Sequence, residues 1–255
     1  MRYRANLGRP IRISKMDKID STSPPRQPKT SRTGRLRFTR WAMRRLADVL
    51  FMKTTLKVTT SGLENVPRTG PTIVLFNHVT MIEPVVVACI MPFRDMIPLG
   101  KKELYDNPIG RLGFLAWGAF PVKRGEIDRT ALRHALDIIE SADMFMIAPE
   151  GHRNREGLRD PKEGIVLLGA RTGAAMVPVG VSGMENYFHN LKHLRRTPVT
   201  AVVGKPFRIK EGVTRKQYTQ AAHEIMYLLA ALIAPNLRGD YADLSKATME
   251  MIEEI

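Results

Sequence analysis

An α/β fold, with a mixed sheet covered by helices, is predicted by three features of the sequence. Short apolar runs of strand length recur at Ile73–Phe76, Met144–Ala148 and Met176–Val181. Segments with helical spacing alternate with them, as at Leu132, Ala135, Leu136 and Ile139. Turn clusters such as Asn65-Val66-Pro67-Arg68-Thr69-Gly70-Pro71 punctuate the series. Strands interleaved with helices fill one core only as layers, with helices against a sheet.

The chain divides into four parts by composition. Residues 1–35 read as a disordered basic tail, with a linker-like Ser21-Thr22-Ser23-Pro24-Pro25 stretch and little to bury. Residues 36–54 read as an amphipathic, membrane-associating helix. Residues 55–240 form the main domain, and residues 241–255 a C-terminal tail. Of the net charge of +15, the first 53 residues supply +12, from 15 Lys/Arg against 3 Asp/Glu. That basicity suits an anionic membrane surface. No nucleic-acid recognition motif accompanies it, so nucleic acid is not the expected partner. No signal-peptide core occupies the first 30 residues, and no run of about 18 apolar residues is present to span a bilayer. The single cysteine, Cys89, permits no intramolecular disulfide and fits a reducing compartment. There is no zinc-like Cys/His cluster.

From Arg37 to Met52, Phe38, Trp41, Ala42, Leu46, Val49 and Leu50 fall on one helical face, and Arg37, Arg40, Arg44 and Asp48 on the other. This is the composition of a helix lying in a membrane interface, or of one packed on its own domain. A first strand is predicted within Lys57–Leu63. The buried strand Ile73–Phe76 ends at Asn77-His78, and a short helix, Val85–Met91, starts after Pro84. His78 thus sits at a strand end and Glu83 at a helix start. On an unbroken helix the two would point about 140° apart, so they meet only if the chain turns between them. If they meet, the carboxylate fixes the ring tautomer and leaves the other nitrogen to take a proton. Otherwise His78 is an ordinary satisfied histidine and Glu83 a dipole-stabilised helix terminus.

Further along, Met96–Gly100 is a short strand and Lys101–Leu104 a helical patch. The strand within Trp117–Val122 delivers Lys123 and Arg124 beside Gly125, a pair suited to phosphate or to solvent. The strand Met144–Ala148 delivers Glu150, Gly151, Arg153 and Arg155, able to hold an anion or to form surface ion pairs. A helix from Ile165 to Ala170 stops at Gly173. Strands follow at Met176–Val181 and Val199–Val203. Thr214-x-x-Gln217 is a capping box opening a last helix, whose apolar end, Met226–Ala234, reads as core.

Four blocks in order resemble the glycerol-phosphate acyltransferases, most of all the 1-acylglycerol-3-phosphate acyltransferases. They are Asn77-His78-x-Thr80-x-x-Glu83, Phe120-Pro121-Val122-Lys123-Arg124, Pro149-Glu150-Gly151-His152-Arg153-Asn154-Arg155, and Val177-Pro178-Val179. The resemblance covers about Thr55 to Gly183. It departs at Glu83, where the family has Asp, and at His152, where it has Thr.

The resemblance implies the family's fold for residues 55–240. It also implies transfer of an acyl group, from acyl-CoA or acyl carrier protein, to a lysophospholipid at the cytoplasmic face of a membrane. His78 is then the general base, oriented by Glu83. Arg124, Glu150, Gly151 and Arg153 place the acceptor's phosphate end, with Lys123 and Arg155 beside them. No cofactor or metal is required. The competing expectation is a non-catalytic basic protein that associates with lipid or nucleic acid through a decayed site.

Overall fold

The computed structural model describes residues 30–101, 106–117, 119–122, 129–141 and 144–255. The predicted 1–35 tail falls largely outside them, as do Lys123, Arg124 and most of the Lys101–Leu104 patch.

Nine strands among the described residues form the sheet. They are β1 (Leu56–Ser61), β2 (Thr72–Phe76), β3 (Met96–Lys101), β4 (Phe120–Val122), β5 (Met144–Ile147), β6 (Ala175–Ser182), β7 (Thr197–Val203), β8 (Phe207–Ile209) and β9 (Ile252–Glu254). The main order is β1-β7-β6-β2-β5-β3-β4, with β8 on β6 and β9 on β8. Along it all neighbours are parallel except β6 and β7. β1 and β7 therefore run opposite to the other strands of that order, as does β8, and the sheet is mixed as predicted. One edge accordingly gathers the C-terminal ends of β2, β5 and β6 with the N-terminal ends of β1 and β7.

Side-chain alternation divides the core between the two faces. Ile73, Leu75, Phe145 and Met176 pack with α4 (Arg129–Glu140), α5 (Gly164–Thr172) and α7 (Tyr218–Leu232). Val74, Phe76, Met144, Met146, Val177 and Val179 pack with α2 (Glu83–Ile90), and Trp117 of α3 (Pro108–Trp117) leans on that cluster. β2 is buried along its whole length, which explains its unbroken apolar run. The predicted stop at Gly173 is a left-handed cap with φ 58°, its N–H on the Gly169 carbonyl. The Thr214/Gln217 capping box is reciprocal and opens a 3₁₀ turn that runs into α7. Met226, Leu229, Ala230 and Ile233 are buried, so that apolar stretch is core. Residues 241–255 join the domain: β9 pairs with β8, and the buried Glu224 carboxylate accepts the backbone N–H groups of Glu250 and Met251.

The first helix, α1 (Thr30–Ala47), continues as a π-helical turn, Asp48–Lys53, and packs against α2 and α3. It does so with Arg40 of the polar face turned inward. Arg40 is buried at 6% exposure; its Nε donates to the Trp117 carbonyl at 2.8 Å, and its guanidinium meets Asp95. Ala47 is also buried, and the Arg44 carbonyl accepts from the Cys89 thiol. Phe38, Trp41, Leu46, Val49 and Leu50 are each about half exposed or more. A helix that only covered its own domain would bury this stripe. None of the described helices is long and apolar enough to cross a membrane.

Candidate active site

The site lies at the sheet edge where β2, β5 and β6 end. β2 gives way at Asn77, whose side chain pairs with one residue of β6: its Nδ2 donates to the Val181 carbonyl and its Oδ1 accepts the Val181 N–H, both at 2.8 Å. A side-chain amide thus continues the ladder for one step and holds the chain as it leaves the sheet. Residues 77–82 are not helical, and α2 starts at Glu83 with Pro84 in its first turn. The turn required by the spacing is therefore present.

His78 and Glu83 meet, with Nδ1 and Oε2 3.2 Å apart. Glu83 is fully buried, and its two carboxylate oxygens accept the Thr80 N–H at 2.7 and 2.9 Å. Thr80 Oγ1 in turn accepts the Ile82 N–H. The side chain, one methylene longer than aspartate, folds back over its own turn to reach both Thr80 and the ring. Phe76 packs edge-on against His78 at 5.5 Å. The ring is thereby held on two sides, and a Nδ1–H donated to Glu83 leaves Nε2 available to a proton.

The block after β5 comes directly beside it. Asn154 N–H donates to the His78 carbonyl at 2.7 Å, tying the first and third motifs together. Gly151 adopts φ 72°, in the left-handed region where glycine is unstrained. Arg155 lines a cleft of about 410 Å³ with Val79, Thr80, Glu185 and Phe188. Arg153 is exposed on the same loop. The His152 ring turns back on its loop, Nδ1 donating to the Glu150 carbonyl at 2.8 Å. Of the two phosphate candidates after β4, Lys123 and Arg124, both lie outside the described residues.

Glu150 is turned inward at 1% exposure, its Oε1 accepting the Arg159 N–H at 2.9 Å. Burial pushes its carboxyl up to about 7, against the opposing pull of Arg159 and Asn154. The proton on Glu150 therefore favours the folded state at low pH. That contribution is complete below the ordinary carboxylate range and disappears as pH rises through about 7. Glu150→Gln should remove this dependence. Urea unfolding should find the variant more stable than the wild type at pH 8, by up to about 3 kcal/mol, and little different at pH 5.

Two parts of the site carry no motif signal. The first is the 3₁₀ turn Met184–Asn186 and α6 (Tyr187–Lys192), which supply Glu185 and Phe188 to the cleft. The second is the segment after α7. Leu158 N–H donates to the Leu237 carbonyl and Asp240 N–H to the Leu158 carbonyl, each at 3.0 Å. The Arg159 guanidinium also meets Asp240 and Glu156. The C-terminal region thus braces the arginine-bearing loop.

A family model described as Acyltransferase matches residues 57–182. A 1-acyl-sn-glycerol-3-phosphate acyltransferase from Borreliella burgdorferi is 29% identical over 140 residues, covering 52% of this chain and 54% of that protein. One from Streptococcus pneumoniae is 28% identical over 107 residues, covering 42% of this chain and 39% of that protein. The chain spans about half the length, or less, of these curated relatives. The crystal structure of a 1-acyl-sn-glycerophosphate acyltransferase, PlsC, from Thermotoga maritima superposes with a TM-score of 0.61. It covers 85% of this chain and 84% of that one at 18% identity, and so has the same fold.

Proposed function

We propose that this chain, whose residues 57–182 match the acyltransferase family model, is an acyltransferase. In this reading it moves a fatty acyl group from a thioester donor, acyl-CoA or acyl carrier protein, to the free hydroxyl of 1-acylglycerol-3-phosphate. The product is phosphatidic acid. The observation that carries the reading is the His78–Glu83 contact at the sheet edge, tied through Asn154 to the arginine-bearing loop.

The chemistry follows from that arrangement. Nε2 of His78 takes the acceptor's hydroxyl proton while Glu83 steadies the resulting imidazolium through Nδ1. The acceptor oxygen attacks the thioester carbonyl. Collapse of the tetrahedral adduct breaks the C–S bond, and the proton on His78 passes to the leaving thiolate. Atoms and charges balance without a covalent acyl-enzyme. Arg153 and Arg155 offer guanidinium forks to the acceptor phosphate, with Lys123 and Arg124 assigned to the same task by resemblance to the family. Glu150 acts from beneath the loop, holding Arg159 N–H and so the loop's path. Holding the acceptor by its phosphate presents its hydroxyl to His78 in a fixed orientation.

The substrate's other half is lipid, and α1 supports a position on the membrane. Its apolar stripe faces outward while Arg40 is buried against the domain, the reverse of a helix made for water. The basic N-terminal region adds attraction to anionic lipid. We assign the protein to the cytoplasmic face of the membrane, where both thioester donors are found.

The test is acyl transfer from labelled acyl-CoA and, separately, acyl carrier protein to 1-acylglycerol-3-phosphate in detergent micelles. Wild type should make phosphatidic acid with at least one donor. Vesicle binding with no product from either donor would return the non-catalytic reading. Glu83→Asp tests the carboxylate. Its shorter arm cannot reach both Thr80 N–H and Nδ1 from the same backbone, so kcat should fall by about tenfold. An unchanged kcat would mean that the turn adapts freely.

A further inference from the structure

The turn from α6 into β7 is a surface that the catalytic reading does not use. Residues 187–196 run Tyr-Phe-His-Asn-Leu-Lys-His-Leu-Arg-Arg. Leu194 stands 94% exposed at its tip, with Phe188 47% and Leu191 39% exposed beside it. Leu194 is also the one non-glycine residue at positive φ, 54°, among the described residues. A bulky side chain in that region is strained, and strain of this kind concentrates where a segment has a task. Lys192, Arg195, His189 and His193 are exposed around it, and Glu185 is the one acidic residue from Met184 to Arg196.

The turn is firmly mounted. Arg195 N–H donates to the Asn190 carbonyl, and Arg196 Nε donates to the Leu56 carbonyl at 2.8 Å. Thr197 N–H donates to the Thr55 carbonyl, and Tyr187 OH approaches Thr55 Oγ1 at 3.4 Å. Thr55 lies two residues after the π-helical turn that ends α1 and carries the exposed Val49 and Leu50. Tyr187 and Phe51 pack in the same core cluster, on one face of the sheet. The turn is therefore tied through Thr55 and Tyr187 to the end of the helix that bears the outward stripe, at the edge where the cleft opens. Phe188 lines that cleft with Thr80 and Arg155.

We infer that the α6–β7 turn is a second membrane anchor, which seats the mouth of the cleft on an anionic bilayer. Leu194, Leu191 and Phe188 enter the interface, while Lys192 and Arg195 meet lipid phosphates at headgroup depth. An acidic carrier protein would be met by cations, but it would leave a leucine at the tip of the turn without a counterpart. The inference rests on the proposed membrane position of α1 and goes beyond it. With α1 alone the domain could pivot about one helix. With both contacts the cleft faces the lipid from which its acceptor comes.

The experiment uses the full chain with Cys89→Ser and an environment-sensitive fluorophore at Leu194→Cys or, separately, at Phe38→Cys on α1. Vesicles are phosphatidylcholine with and without phosphatidylglycerol. On vesicles containing phosphatidylglycerol, the Leu194→Cys label should shift to the blue and be quenched by a lipid-borne quencher. Lys192→Glu with Arg195→Glu should weaken binding to those vesicles by roughly tenfold or more, and binding to pure phosphatidylcholine much less. A label at Leu194→Cys that stays in water while the Phe38→Cys label enters lipid would overturn the inference and leave the α1 reading standing. If neither label shifts and no protein sediments with vesicles, the membrane reading fails and takes this inference with it. If the charge reversal leaves vesicle binding intact but raises KM for acyl carrier protein in micelles, the turn docks a protein and the inference is wrong.

Discussion

His78→Ala is expected to reduce acyl transfer by at least about 10²–10⁴-fold while leaving the fold in place. In the proposed mechanism the ring supplies the base. Glu83 is fully buried behind it, and its carboxylate oxygens are engaged by Thr80 N–H. The structural loss is small by comparison. The bond from Asn154 uses the backbone carbonyl of residue 78, and the Glu83 carboxylate keeps both contacts with Thr80 N–H. Turnover should therefore collapse with only a minor change in melting temperature. Substantial turnover in a purified, folded His78→Ala protein would remove His78 from the mechanism.

The second large effect is predicted away from the ring. Gly157→Ala should cost roughly 3 kcal/mol or more and disturb the arginine-bearing loop. Gly157 adopts φ 110°, and a Cβ there would lie 2.6 Å from Gly239 N, 2.8 Å from Gly239 Cα and 2.9 Å from the Leu237 carbonyl oxygen. All three are backbone atoms that no rotamer change can move. The two strands of chain would have to part, breaking the paired bonds between Leu158 and residues 237 and 240. A control is available in Gly173→Ala. There φ is 58° and nothing lies within 4 Å of the added carbon, so only conformational strain of about 1 kcal/mol is expected. Urea midpoints for the two variants separate overlap from strain. KM for the acceptor should rise in Gly157→Ala alone, since only that glycine supports the loop carrying Arg153 and Arg155.

Much of this was legible because it is local. β2 shows as an unbroken apolar run since both its faces are buried, and α4 as a 3.6-residue period since only one of its faces is. The meeting of His78 and Glu83 followed from a break between strand and helix that Pro84 and the polar pair Asn77-His78 make visible. What was not legible depends on partners far away in sequence. The amphipathic pattern of α1 has the same form whichever face turns outward. Arg40 goes inward because Asp95 and the Trp117 carbonyl wait for it, and no local pattern announces them. The helix predicted to begin at Val85 begins two residues earlier, at Glu83, since Pro84 is tolerated in a first turn. Residues 108–117 are helical, with Pro108 in the first turn where its missing N–H costs nothing. The bracing of the third motif by residues 237–240 joins stretches about 80 residues apart. The inward turn of Glu150 depends on the Arg159 backbone N–H, which nearly any residue type at that position could have supplied.

The reversed pair at the sheet edge also sets an order of events during synthesis. β1 finds its partner in β7, with Leu56 opposite Thr197. About 140 residues must leave the ribosome between them. At translation rates of about 5–20 residues per second, β1 waits roughly 7–30 s for its hydrogen-bonding partner. During that interval the segment before it, with its tryptophan, phenylalanine and basic residues, is already outside the tunnel. Closing so long a loop is slow and entropically unfavourable until the strands between have assembled. In the proposed membrane reading the nascent N-terminal helix is therefore free to reach a bilayer first, and the rest of the domain completes itself against a chain already moored.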